Sequence, residues 1–308
     1  MPSKNIQIVQ FTHPGGERRL NKKELAVSKK NWNYGRHQRK FMKTKGIIVD
    51  DNGSLSSPQE LQFWGEWEPE SFVTVLPPSS AMDMPHYLHE PILEVDAKKS
   101  IVKAPILNVK KKLRQNTDPF VFGDTFLYSC CKQHRTVKGK SAMVYTKMAT
   151  LGKGSIILFG STKEDAKGNS YFALDTVFVV SDYLEYYPKT FVSTHASFVS
   201  DRWYEQIMGY RGWLKEPFIC YKGATPTNPI NGMYSFSPCQ TCGQSPVGFP
   251  RVRIRKIDLA FITDNLNAAP KHTSSSLILN KRYWDKICVI VKAQGCEKGV
   301  DFEYKIVP

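Results

Sequence analysis

Long hydrophobic runs are missing from this sequence. No apolar stretch approaches the roughly 18 residues of a membrane-spanning helix, and the N-terminal MPSKNIQIVQF lacks the charged, apolar and small-residue order of a secretion signal. A cytoplasmic protein with no membrane partner is expected. Acidic residues are scarce too: 28 Asp and Glu stand against 43 Lys and Arg, a formal charge of +15. Such a field attracts polyanions, and with membranes set aside the expected partner is nucleic acid. Cysteine is sparse and odd in number, seven in 308 residues, which points to reduced thiols rather than a disulfide framework. Internal repeats and a clear linker are also lacking, so a single domain over 1–308 is expected.

What is present is enough to fold. Apolar residues make up 41% of the chain and aromatics 12%, in the range of globular proteins with a buried core. Asn5 to Phe11 reads as a strand that runs into THPGG, where Pro14, Gly15 and Gly16 stop it. Ser155 to Phe159 and Tyr171 to Val180 read as paired strands around the polar turn KEDAKGN. Leu76 to Pro91, rich in Pro and Ser, reads as a loop. Asp201 to Trp213 and Lys281 to Ala293 read as helices. In the second, Trp284, Ile287, Cys288 and Val291 fall at i, i+3, i+4 and i+7, with Asn280 placed as the cap. The expected fold is α/β or α+β, one mixed domain with a β-rich middle and flanking helices.

The positive charge is concentrated in three stretches. Residues 18–45 carry Arg18, Arg19, Arg36, Arg39 and Lys40 with Trp32, Tyr34 and Phe41 interleaved, a mixture suited to phosphate contact and base stacking. Residues 98–114 include Lys110 and Lys111. RVRIRK at 251–256 alternates Arg251, Arg253 and Arg255 with apolar residues in a strand rhythm, which would put the cations on one side of a sheet.

Against this background FWGEWEPES at 63–71 is an acidic island. Glu66 and Glu68 are two apart, so on a strand they share a face and Trp67 takes the other. One reading makes them catalytic: carboxylates stabilise an oxocarbenium-like centre as a glycosidic bond breaks, while Trp64 and Trp67 stack on a flipped base. The other makes the tryptophans core anchors and the glutamates partners for nearby Lys and Arg. Asp175, an acid amid LDTVFVV, needs a partner if it is buried.

Metal chemistry has weaker footing. Cys239 and Cys242 form a CxxC with no second pair, and Cys130, Cys131 and His134 are distant in sequence. His86 and His89 in PHYLHEP lack the spacing that puts two imidazoles on one helical face. Glu94, Asp96 and Lys98 resemble the acid-x-Lys end of a metal-dependent nuclease motif, which keeps a nuclease as an alternative. The leading expectation includes no metal and no cofactor.

Two stretches resemble the uracil-DNA glycosylase superfamily. IQIVQFTHPGG places His13 before Pro14, like that family's first motif, and His195-Ala-Ser-Phe-Val-Ser200 is similar to its second. The resemblance implies a DNA N-glycosylase in which His13 helps to position water and His195 stabilises charge as the base departs. It further implies double-stranded DNA carrying modified bases as partner, and a part in bacterial anti-phage defence. KGSIILFGSTKED with FALDTVFVV is similar to paired strands of PUA-like barrels, including ASCH and EVE domains. That likeness implies a non-catalytic reader of modified bases.

Overall fold

A computed structural model describes residues 3–13, 15–22, 38–68, 71–96, 101–102, 117–137, 143–187, 198, 217–243, 248–263 and 269–307, without the side chains of 93–96, 101–102 and 307. The strands in chain order begin with β1 (Gln7–Thr12), β2 (Lys40–Val49), β3 (Gln59–Gly65), β4 (Ser71–Val75), β5 (Tyr87–Asp96) and β6 (Ile101–Val102). Next come β7 (Leu127–Tyr128), β8 (His134–Arg135), β9 (Val144–Tyr145), β10 (Ile156–Glu164), β11 (Ser170–Tyr186) and β12 (Phe218–Gly223). The last are β13 (Ser237–Thr241), β14 (Val252–Ile254), β15 (Lys271–Ser274), β16 (Glu297–Val300) and β17 (Lys305–Val307). One α-helix, α1 (Leu277–Ala293), occurs among the described residues. The described residues are therefore β-rich and mixed, with this single helix among them and no clear helical flanks. The segment 201–213 lies outside the described residues.

Two sheets carry the architecture. The first runs β15-β1-β10-β11-β12-β7 with β14 added on β11, and the second runs β16-β13-β3-β2-β5-β17 with β4 and β6 added on β5. β1 lies parallel to β10, while β10 and β11 form the expected antiparallel hairpin. Its turn is held by Asp165, whose Oδ1 accepts from the amides of Lys167 and Asn169. In the second sheet β2 pairs with β3 through Lys40 to Gly46 and with β16 through Ile47 to Val49. Because β16 also pairs with β13, and β13 with β3, these four strands close on themselves and leave no free edge there. Gly46 sits at the hand-over; a Cβ would meet Leu61 and Phe302 at 2.9 Å.

Two local expectations change. Residues 76–86 are a loop, but β5 starts at Tyr87 and includes Pro91. That proline faces Ser71, the first residue of β4, at the end of the ladder, where a missing N–H costs least. Helix α1 is capped by Ser276, whose Oγ accepts from Leu279 N. Asn280 is instead buried in the first turn, and its Nδ2 donates to the carbonyls of Gln7 and Gly154, tying the helix to the first sheet. Trp284, Ile287 and Val291 are buried as the helical stripe requires, and Cys288 is half-buried against the same core.

The core forms two clusters. One gathers Phe11, Trp67, Phe122, Tyr128, Phe159, Phe178 and Tyr221, and the other Phe41, Trp64, Phe172, Phe236, Trp284 and Ile287. No helix among the described residues is long and apolar enough to cross a membrane.

Candidate functional site between the sheets

β3 ends at Gly65, so Glu66 and Glu68 lie just past the strand; both are 2% exposed. A buried carboxylate needs a cation or several donors. Arg39, immediately before β2, supplies the cation: its Nη1 is 2.5 Å from Glu66 Oε2 and its Nε is 2.6 Å from Asp175 Oδ2. Asp175 lies on β11 in the other sheet, so one guanidinium joins the two sheets. Arg251 extends the chain, with Nη1 3.4 Å from Asp175 Oδ1 and 3.0 Å from Ser161 Oγ. Its guanidinium also lies 5.5 Å from the centre of the Trp64 ring. Glu66, Arg39, Asp175 and Arg251 thus form one continuous buried ionic chain.

Electrostatics follow from this burial. Desolvation works against the charge on Arg39, but Asp175 and Glu66 outweigh it and hold the guanidinium above its ordinary range. Lys40, fully buried, is pulled down to about 7 by desolvation, while Glu68 and Glu66 oppose the change. His89 is driven well below its usual value, first by burial and then by Lys40 and Arg18. Its Nδ1 and the Ser71 hydroxyl are 2.8 Å apart.

A second buried group adjoins the first. His13 stacks on Phe11, and its Nε2 is 3.9 Å from Cys131 Sγ. The Cys131 thiol is held well above its ordinary value, first by its hydrogen bond with Cys130 and then by burial, with the Glu66 charge among the further contributors. The Lys132 ammonium donates to Thr12 O at 2.7 Å and is pulled down to about 8, chiefly by burial. Asp118 organises the turn, accepting from the amides of Ser129, Cys130 and Cys131 at 2.7 to 2.9 Å.

The expected site residues divide as follows. His13, Glu66, Glu68, Asp175, Arg39, Lys40 and Arg251 belong to this buried polar region. Trp64 touches it through Arg251 and donates its indole N–H to Phe249 O. Trp67 packs on Phe122 and Tyr304 and is fully buried, so both indoles are core residues in this state. Arg18 is buried, with Nη1 donating to Arg19 O, whereas the Arg19 side chain is exposed near Glu17. The strand rhythm of RVRIRK does not put its cations on one surface. Arg251 points inward, Arg253 pairs with Asp83, and Arg255 is exposed. Arg36, Lys110, Lys111 and His195 lie outside the described residues.

Cys131, Asp118, Ser71, Ser161 and Asp83 were not among the expected site residues. Of these only Cys131 carried a sequence signal, through the SCCKQH cluster. Asp118, Cys130 and Cys131 bring three donor atoms within 4.8 Å of one another, but the carboxylate is already engaged by three amides and serves the turn. Around Cys239 and Cys242 no third ligand completes a metal group among the described residues. Glu94 and Asp96 lie on β5 without described side chains, and Lys98 lies outside. Comparison of the chain with profiles of protein families, with curated proteins and with solved structures gives no match.

Proposed function

We propose that this protein binds DNA and hydrolyses the N-glycosidic bond of a modified base, with anti-phage defence as its setting. The observation that carries the reading is the meeting of Glu66 and Asp175 on the one buried guanidinium of Arg39, with His13 beside Cys131 in the adjoining group, although these residues come from distant parts of the chain. Arg39 holds both carboxylates in place at 2.5 and 2.6 Å, and carboxylates so placed would stabilise positive charge at C1′ as the base leaves. In the reaction water adds to C1′, the C1′–N bond breaks and its electron pair leaves with the base. The water proton passes to a carboxylate, and the departing base takes up a proton. In this reading His13 helps to position the water. The target bond is inaccessible in stacked DNA, so the nucleotide must be flipped out.

A second reading has its own support. Arg39 engages Glu66 and Asp175 together, and a carboxylate so held is a better hydrogen-bond acceptor than a base. That arrangement favours a reader that recognises a modified base without cutting it.

The test is mass spectrometry of small molecules released when the protein meets ordinary and modified phage DNAs without added metal. Free base with matching abasic sites is expected. Glu66→Gln should reduce release at least about 100-fold while DNA binding persists. Intact DNA with tight binding would support the reader, and broken phosphodiesters without free base would support a nuclease.

A further inference from the structure

Loop 76–86 joins β4 to β5 and is pinched at its neck, where the Leu76 amide donates to His86 O at 2.9 Å. Compact loops with joined ends are frequently functional. Residues 77–82 are exposed, but Asp83 turns back toward the first sheet. It does so with φ at 65°, in the left-handed region that Asp tolerates better than most residues. Its Oδ1 lies 2.5 Å from Lys163 Nζ, and its Oδ2 accepts from the Tyr171 hydroxyl and lies 3.6 Å from Arg253 Nη2.

The donors come from adjacent strands of one sheet. Lys163 on β10 stands opposite Tyr171 on β11, and β14 pairs with β11 at the next residues. The Arg253 guanidinium rests over the Tyr171 ring, 5.0 Å from its centre. Two cations and a hydroxyl therefore converge from a rigid surface on one point, while the anion arrives on a surface loop. Asp83 neutralises only one of the two cations, and Arg251 adds further positive charge close by. A backbone phosphate diester carries the same single negative charge on two acceptor oxygens as a carboxylate and suits the same donors. The seat is also open: the side chains of Lys163 and Arg253 are 25% and 29% exposed, against 2% for Arg39. Lys163 feels the charges of Arg251 and Asp175, so the seat lies near that part of the buried ionic chain.

We propose that Lys163, Tyr171 and Arg253 form a seat for a nucleic-acid backbone phosphate, and that Asp83 fills it as an internal substitute until nucleic acid displaces the loop. The identity of the ligand rests on the DNA reading above. Occupation by Asp83 would weaken apparent binding by the fraction of time the seat is closed.

The test compares the wild type, Asp83→Gly and Asp83→Gly/Lys163→Ala by fluorescence anisotropy on a labelled duplex over a range of NaCl concentrations. Glycine suits the positive φ, so the variant removes the plug without straining the loop. Asp83→Gly should bind about 10-fold tighter if the seat is open roughly a tenth of the time. Its salt dependence should also steepen, by up to about 0.9 in slope, because salt loosens the Asp83 plug of the wild type and the variant has no plug to loosen. The double variant should lose both gains. Equal affinity and slope for wild type and Asp83→Gly on a duplex that both bind would overturn the seat and leave the DNA reading standing. If no variant binds duplex at low salt, the DNA reading fails, and melting with inorganic phosphate decides the seat. A phosphate-dependent rise in melting temperature confined to Asp83→Gly would keep the seat for another phosphorylated ligand. No rise in either protein would overturn it.

Discussion

Arg39 is the residue on which the buried charges depend. It is 2% exposed and faces two carboxylates that are equally buried. Removing one partner of such a network leaves an uncompensated charge at a cost of about 3–5 kcal/mol. Arg39→Leu removes the guanidinium that Glu66 and Asp175 share and leaves Asp175 with Arg251 at 3.4 Å, so it should lower stability by up to that amount. Glu66→Gln keeps an acceptor for the guanidinium and should cost less. Urea denaturation of the two variants checks the order, and equal midpoints would show that Arg39 is not the centre of the network. Histidine burial adds a pH signature. His272 is lowered to about 4, chiefly by burial, and His89 is lowered well below its ordinary value for the same reason. Between about pH 6.5 and 4 the unfolded chain binds protons that these folded histidines refuse, so stability falls as pH falls through that window. His272→Gln should flatten the fall when unfolding free energies at pH 7 and pH 5 are compared, and an unchanged pH dependence would rule out its contribution.

Helix α1 shows what periodicity reveals at the scale of an element and what it misses. Its apolar stripe was legible because 3.6-residue spacing is a local property. Its start was not, because Asn and Ser are both good caps and only geometry separates them. Ser276 holds the first turn, whereas Asn280 bonds to Gln7 O and Gly154 O from elsewhere in the fold. Ser276→Ala should cost about 1 kcal/mol. Asn280→Leu should cost more, about 1–3 kcal/mol, since it leaves two carbonyls without their donor in a tight space. Thermal melts of both variants test the ranking. The same contrast explains β5. The prolines of Leu76 to Pro91 describe a loop locally, and pairing with β2 and β4 nevertheless starts a strand at Tyr87.

At the scale of the whole molecule, the charge of +15 makes a prediction independent of any catalytic residue. If six phosphates are contacted, duplex affinity should fall by about 1,000-fold between 50 and 200 mM salt. Anisotropy titrations check this, and a flat response would assign the basic stretches to solubility. Composition, the β10–β11 hairpin and the apolar face of α1 were determined by the sequence alone, since charge balance and residue period need no knowledge of distant neighbours. Tertiary structure decided the rest. Arg39 is 27 residues from Glu66 and 136 from Asp175, and nothing local announces that they share one buried centre. FWGEW likewise sends Trp64 into one core and Trp67, with Phe63, into the other. Desolvation makes those choices: a charge or an indole buried on closing the sheets must take whatever partner the opposite sheet presents.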